Sequence, residues 1–96
     1  MMYKLGTTKS FDKALKLCKK RGYSIEELRK AIAILVVNGC LPSKYKPHIL
    51  HGNHEGEWEA HIKPDWLLVW EQDDDELTLL MLTTGTHSDV FGKTRR

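Results

Sequence analysis

The sequence predicts an α+β fold with the element order β-α-α-β-β-β, in which a two-helix hairpin packs on one face of an antiparallel sheet. Two segments of the first half carry apolar residues at helical spacing, and the second half alternates short apolar runs with turn formers. A chain of 96 residues has material for only one domain. We therefore expect residues 1–96 to form a single domain that ends in a short C-terminal turn or helix.

The first elements are a short strand and a helix. Residues 1–7 are compatible with a brief opening strand. From Thr8 to Arg21, apolar residues recur at i, i+3, i+4 and i+7, which predicts an amphipathic helix; they are Phe11, Ala14, Leu15 and Cys18. Either Thr8 or Ser10 is the expected N-cap, and Gly22 is the expected end.

A second helix is predicted to begin at Ser24. Ser24 and Glu27 have the spacing of a capping box, in which each side chain accepts a hydrogen bond from a free backbone N–H. The helix should end at Asn38-Gly39, and its buried stripe consists of Leu28, Ala31, Ile32, Leu35 and Val36. About two residues separate the helices, so they should form an antiparallel hairpin.

Three strands should follow the polar segment 42–56. Residues 57–63 alternate between apolar and polar side chains, residues 66–70 form a short apolar run, and residues 77–83 form the third strand. The acidic segment 72–76 is a turn between the last two. Short turns between successive strands predict an antiparallel meander.

The charge is divided unevenly along the chain. Residues 1–46 carry eleven Lys and Arg against three Asp and Glu, whereas residues 47–96 carry four against ten. A basic half of this kind attracts polyanions such as RNA, but it is equally compatible with a solvated helix face. No apolar run is long enough to span a membrane, and the first ten residues lack the apolar core of a signal peptide. We therefore expect a cytoplasmic protein.

Histidine is the most informative residue type. All five histidines lie in the second half, and three of them lie in or near the ends of predicted strands: His48, His61 and His87. Asp65 follows His61 after Pro64, which should bend the chain and keep the two side chains close. Histidine and aspartate can move protons near neutral pH, as cleavage of RNA by its own 2′-OH requires. The alternative is that these residues are ordinary surface polar groups around a turn.

A histidine metal site is the other chemistry to consider. His48, His51 and His54 are spaced by three and would share one face of a helix. Pro47 and Gly52 argue against a helix there, and the sequence has neither a Cys-x-x-Cys nor a His-Glu-x-x-His motif. We therefore predict no metal and no other cofactor.

Two motifs resemble a known family. The segment His61–Trp66 reads H-x-x-P-D-W, and Thr84–Gly92 reads T-G-T-H-S-x-x-F-G. Together with Tyr45–Leu50 and the lengths of the helix pair, they resemble the YafQ-type branch of the RelE/ParE superfamily, which comprises toxins of bacterial type II toxin–antitoxin modules. The resemblance covers nearly the whole chain and implies a RelE-like fold.

The resemblance also implies a function. Members of this branch are metal-independent, ribosome-dependent mRNA endonucleases that cut in the A site. Their catalytic positions correspond to His48, His61, Asp65 and His87 in this sequence. His87 and Asp65 would share the acid and base roles, and the other two histidines would stabilise the phosphate. An aromatic position of the family matches Phe91, which would stack on an mRNA base or, alternatively, anchor the C-terminus in the core.

One position departs from the family pattern. Many relatives carry an arginine just before the T-G-T-H segment, where this sequence has Thr83. Stabilisation of the phosphate would then fall to Lys63, Lys93 or a histidine. The basic helices and the tail that ends in Arg95-Arg96 would contact ribosomal RNA.

The resemblance implies partners as well. We expect a cognate antitoxin that binds through an acidic segment, and we expect the ribosome and its mRNA. Contact with operator DNA would be only indirect, through the antitoxin complex, and no membrane partner is expected. Two alternatives remain open because fold does not determine function. The chain could be a ParE-like toxin that binds DNA gyrase without nuclease activity, or an inactive antitoxin-binding regulator.

Overall fold

The structure is a computed structural model that describes residues 2–51 and 56–92. Two helices and five strands are present, together with a 3₁₀ turn and a C-terminal π turn. In chain order they are β1 (Lys4–Thr7), α1 (Lys9–Lys20), α2 (Ile25–Asn38), the 3₁₀ turn (Ser43–Tyr45), β2 (His48–Ile49), β3 (Glu57–Lys63), β4 (Trp66–Asp73), β5 (Thr78–Gly85) and the π turn (Ser88–Gly92).

The strands form one sheet in the order β1-β5-β4-β3-β2. The predicted α+β class and the meander β3-β4-β5 are confirmed. The first strand departs from the predicted antiparallel arrangement, because β1 runs parallel to β5, with Lys4 opposite Thr78. A parallel neighbour needs a long connection, and the helices and the other strands lie between these two in the chain. Strand β2 was not predicted; it pairs with β3 over only two residues.

The helices begin and end close to their predicted limits. The Thr8 hydroxyl accepts a hydrogen bond from Phe11 N–H at 3.0 Å, which makes Thr8 the N-cap and places Ser10 inside α1. Gly22 follows the helix with a φ of 85°. The capping box of α2 is wrong: Ser24 is the N-cap residue, but its side chain caps nothing, and its carbonyl accepts the Glu27 N–H instead.

Both helices contribute to a core on one face of the sheet. The apolar residues of α1 and α2 pack with the inward side chains of the strands and with Leu41 and Tyr45; the buried helical members are Phe11, Cys18, Leu28, Ala31 and Leu35, and the strand members are Ala60, Ile62, Trp66, Leu68, Trp70, Leu79 and Met81. None of the helices within residues 2–51 and 56–92 is both long and apolar enough to cross a membrane.

The opposite face of the sheet carries polar side chains beside the buried apolar residues Leu67 and Val69. Side chains alternate along a strand, so Glu59 and His61 lie on this second face of β3, away from the core residues Ala60 and Ile62. This polar face is where the predicted functional residues meet.

Candidate active site

The sheet register brings His48, Glu59 and His61 onto one face. His48 lies directly opposite Glu59 across the β2–β3 pair, and directly paired residues of antiparallel strands point to the same side. His61 lies two residues further along β3 and is paired with Leu67 of β4. Leu67 is in turn paired with Gly85, the last residue of β5, which leads to His87.

Asp65 forms a close pair with His87 rather than with His61, the partner that the bend at Pro64 had suggested. The Asp65 carboxylate accepts the backbone N–H of His87 at 2.9 Å and contacts its ring Nδ1 at 2.5 Å. The backbone N–H and then the ring of His87 hold the pKa of the Asp65 carboxyl below its usual value. Both side chains are more than half exposed, so a substrate can reach them.

A buried hydroxyl holds the two strands that carry this pair. The Thr84 hydroxyl accepts the Trp66 ring N–H at 2.9 Å and donates to the Leu67 carbonyl at 2.6 Å. Asp65 directly precedes Trp66, and His87 lies three residues after Thr84. The bridge therefore fixes the start of β4 beside the end of β5, which keeps the carboxylate against the imidazole.

His61 lies next to this pair. Its ring centroid is 5.7 Å from that of His87, with the planes tilted by 37°. Its Nδ1 is buried and has no hydrogen-bond partner among the described residues. An unpaired lone pair costs less than an unpaired N–H, so the geometry favours the tautomer with the proton on Nε2.

His48 is held on both ring nitrogens. Its Nδ1 donates to the Lys46 carbonyl at 3.1 Å, and its Nε2 lies 3.0 Å from the Glu59 carboxylate, which is 7% exposed. The two contacts fix the orientation of the ring on the polar face of the sheet. Glu59 was missed by sequence reasoning, although its position two residues before His61 on the polar face of β3 is a usable signal.

A second ion pair ties the end of α1 to the π turn. The Asp89 carboxylate accepts two hydrogen bonds from the Arg21 guanidinium, at 2.6 and 3.1 Å, and a third from the Thr86 N–H at 2.9 Å. Arg21, followed by the Thr86 N–H, holds the pKa of the Asp89 carboxyl well below its usual range. The T-x-x-D spacing of residues 86–89 is the only local signal of this pair; its Arg21 half is 68 residues away in the chain.

The remaining predicted residues lie at the edge of the cluster. Lys63 ends β3 and is exposed, and the half-buried Phe91 lies in the π turn. Thr83, where many relatives have arginine, is paired with Val69 and points to the polar face. Lys93 and His54 lie outside the described residues.

The histidine metal site that was weighed as an alternative includes His54, which lies outside the described residues. Within residues 2–51 and 56–92, no three His, Cys, Asp or Glu side chains come close enough together to hold a metal ion. His51 is exposed and follows β2, and none of its contacts joins the His61–His87 cluster.

Comparisons with known proteins agree with this architecture. A family profile for the bacterial toxin of type II toxin–antitoxin systems, YafQ, matches residues 3–92. The mRNA interferase toxin YafQ of Escherichia coli K12 is 36% identical over 83 residues, which cover 85% of this chain and 88% of that protein.

Solved structures are similar over almost the whole chain. The E. coli DinJ–YafQ toxin–antitoxin complex contains a chain that is 32% identical, with a TM-score of 0.87 and coverage of 96% of this chain and 100% of that one. A metal-bound toxin from Helicobacter pylori is 38% identical, with a TM-score of 0.84 and coverage of 95% and 100%.

Proposed function

The chain belongs to the YafQ family of bacterial toxins from type II toxin–antitoxin systems, and from this premise we propose that it is a ribosome-dependent endonuclease of mRNA. The observation that carries the proposal is the group formed by His87, Asp65 and His61, an imidazole–carboxylate pair with a second imidazole 5.7 Å away. Gyrase binding would have no use for such a group of proton carriers.

We assign proton transfer to His87 and orientation to Asp65. Because its pKa is lowered, the Asp65 carboxylate remains ionised at neutral pH, which makes it a weak base and a good counterion. Asp65 holds Nδ1 of the His87 ring and fixes its orientation, so that Nε2 is the ring atom that would donate a proton to the substrate. The sequence predicts only that the two residues share the acid and base roles, whereas this assignment makes His87 the acid and gives Asp65 the task of orienting it.

The reaction that fits is attack by the RNA 2′-OH on the adjacent phosphorus. The 2′-OH loses its proton to water, its oxygen forms the new O–P bond of a 2′,3′-cyclic phosphate, the P–O5′ bond breaks, and His87 gives a proton to the leaving 5′-oxygen. Negative charge on the phosphorane would be stabilised by the Nε2–H of His61 and by His48. In this scheme the side chains supply protons and charge themselves, without a metal.

The remaining assignments concern contacts with substrate and partners. Phe91 in the π turn would stack on an mRNA base, and Lys63 and Lys93 would contact the backbone. The ribosome would present the mRNA in the cytoplasm. A cognate antitoxin would cover the basic surface with an acidic segment, as an antitoxin accompanies YafQ in the E. coli complex, and operator DNA would be contacted only through that pair.

Mapping of mRNA 5′ ends after induction tests this function. We expect cuts in register with codons in cells that express the wild type. His87→Ala should reduce cutting by about 10²–10⁴-fold, the usual contribution of a proton-transfer group. His51→Ala is the matched control, because His51 is exposed and outside the cluster, and it should cut normally.

Two outcomes would contradict the proposal. Full cutting by a folded His87→Ala protein would contradict the assignment of His87. Growth arrest with DNA damage and intact transcripts would contradict the nuclease and favour a gyrase target.

A modified substrate tests the acid role directly. A 5′-bridging sulfur leaves without needing a proton, so it should restore cleavage by His87→Ala toward the wild-type rate. A variant that stays equally impaired on this substrate would contradict the assignment of His87 as the general acid.

A further inference from the structure

Two lysines flank a residue that is anchored in the core. Tyr45 is 5% exposed and packs in the core at the end of the 3₁₀ turn, so the chain on either side of it is held against the protein. Lys44 and Lys46 are both exposed. The Lys44 ammonium lies 5.2 Å from the centre of the Tyr45 ring, a cation–π contact that restrains it.

The backbone at Lys46 connects this segment to the proposed active site. Lys46 has a φ of 50°, which is uncommon for a residue other than glycine, and such conformations concentrate at functional sites. Its carbonyl accepts the hydrogen bond from His48 Nδ1 at 3.1 Å. The position of Lys46 is therefore coupled to the imidazole that the proposed mechanism uses.

Lys44 and Lys46 meet a third lysine around an open pocket. The pocket has a volume of about 270 Å³ and is lined by Lys44, Lys46, His61, Ile62, Lys63 and Pro64. No acidic residue is among its lining residues. One wall is His61, whose buried Nδ1 has no partner in the described part of the chain.

The three ammonium groups have no carboxylate partner among the residues that the structure describes. In residues 2–51 and 56–92, none of them has a carboxylate within 4.0 Å, since the ion pairs found there involve other residues. By contrast, the Arg21 guanidinium at the end of α1 is neutralised by the Asp89 carboxylate. Position 83 supplies no cation, because it is a threonine. Among the described residues, the pocket therefore places three lysines without carboxylate partners beside His61.

We propose that Lys44, Lys46 and Lys63 form a binding site for a backbone phosphate of the RNA strand where it passes His61. The inference rests on the proposed function for the identity of the ligand as mRNA. Three ammonium groups around one concave pocket suit a phosphodiester, because each lysine carries a compact positive charge on a flexible stem that can approach the negatively charged phosphate oxygens. The site takes over the role that an arginine at position 83 would have.

Salt-dependent binding to RNA tests the site without relying on cleavage. The probe is a short single-stranded RNA with 2′-O-methyl groups throughout, which cannot be cut, and binding of the full chain is followed by fluorescence anisotropy between roughly 50 and 200 mM salt. Each lost phosphate contact lowers the slope of log K against log salt by about 0.7 for a single strand. Lys44→Gln/Lys46→Gln removes two of the three groups that hold this one phosphate and should therefore lower the slope by about 0.7 and weaken binding at low salt.

A matched control separates local contact from net charge. Lys13→Gln/Lys16→Gln removes the same charge from exposed positions of α1, the helix on the other face of the sheet, and should leave the slope unchanged. If both double variants lower the slope of log K against log salt by the same amount, or if neither lowers it, the proposal is wrong. Lys44 and Lys46 would then be better explained as a binding site for an acidic protein segment.

The result is independent of the nuclease test. A wild type that shows the Lys44- and Lys46-dependent slope but cuts no mRNA would support the lysine site and contradict the proposed function. A wild type that cuts mRNA while its RNA binding ignores these lysines would overturn the lysine site alone.

Discussion

Replacement of Asp89 by asparagine tests how the C-terminal turn is held beside the active site. The change keeps the shape of the side chain but removes the charge that faces Arg21, and it turns one acceptor oxygen into an N–H₂ group that points at a guanidinium. The remaining amide oxygen can still accept the Thr86 N–H. The variant therefore removes the charge of the ion pair and one of its two hydrogen bonds while preserving the local turn.

The partial burial of the Arg21–Asp89 ion pair sets the size of the expected loss in the free energy of unfolding. Exposed ion pairs contribute at most about 1 kcal/mol, whereas loss of one partner from a buried pair costs about 3–5 kcal/mol. The Arg21 and Asp89 side chains are 34% and 20% exposed, which is between these cases. We expect Asp89→Asn to lower the free energy of unfolding by about 2 kcal/mol, or roughly thirtyfold in the unfolding constant.

Urea unfolding at several pH values measures this loss and its origin. At neutral pH the midpoint should fall by about 1–2 M, given the slopes that small domains show in urea. The pKa of Asp89 is depressed in the folded state, so its stabilising contribution is complete above the unfolded-state value of about 3.9 and is lost as pH falls toward the folded-state value. The difference between wild type and variant should therefore stay constant down to about pH 5 and shrink below about pH 4.

An exposed pair on α2 provides the control. Glu26→Gln removes a carboxylate that lies 3.6 Å from Arg29, with both side chains more than 70% exposed, and should leave the midpoint almost unchanged. If Asp89→Asn shifts the midpoint no further than Glu26→Gln, or if its effect grows as pH falls, the pair does not fasten the turn as we argue.

Two other substitutions test the geometry around the sheet. Thr84→Val should lower the free energy of unfolding in urea by about 1–3 kcal/mol, because it leaves the Trp66 ring N–H and the Leu67 carbonyl without this partner. Thr84→Ser keeps the hydroxyl and should recover most of this loss. Equal stability of the two variants would contradict the bridge. Gly39→Ala should unfold at lower urea than Gly22→Ala. Both glycines have a positive φ, and an alanine held in that conformation loses roughly 1–2 kcal/mol of stability at either position. Only at Gly39 would the new methyl group also collide with a side chain, because it would lie 2.6 Å from the Tyr3 hydroxyl. The reverse order would contradict the contact.

The sequence by itself determined the local elements. Apolar spacing placed α1 and α2 within a residue or two of their observed limits, and alternation placed β3 and β4 on the correct residues at their starts. These features depend on contacts between neighbours in the chain and on which face of each element is apolar, so the pattern is readable without the fold. His61, Asp65 and His87 were also identified from the sequence, because short turns bring the ends of successive strands together.

Only the tertiary structure decided the pairings across long distances. Nothing in residues 1–7 indicates that β1 runs parallel to β5, and the hydrogen bonds of β2 with β3 depend on a two-residue register. The capping box of Ser24 failed for a related reason, since the spacing of the two side chains does not ensure that either one turns back to the helix end.

The same distinction holds at the site. The pairing of Arg21 with Asp89 and of His48 with Glu59 arises from the way the helices and strands dock, which places side chains together from opposite parts of the chain. A one-residue change of register would turn His61 toward the core and separate it from His87. The sequence therefore supplied the candidate proton carriers, and the sheet register decided which charges surround them.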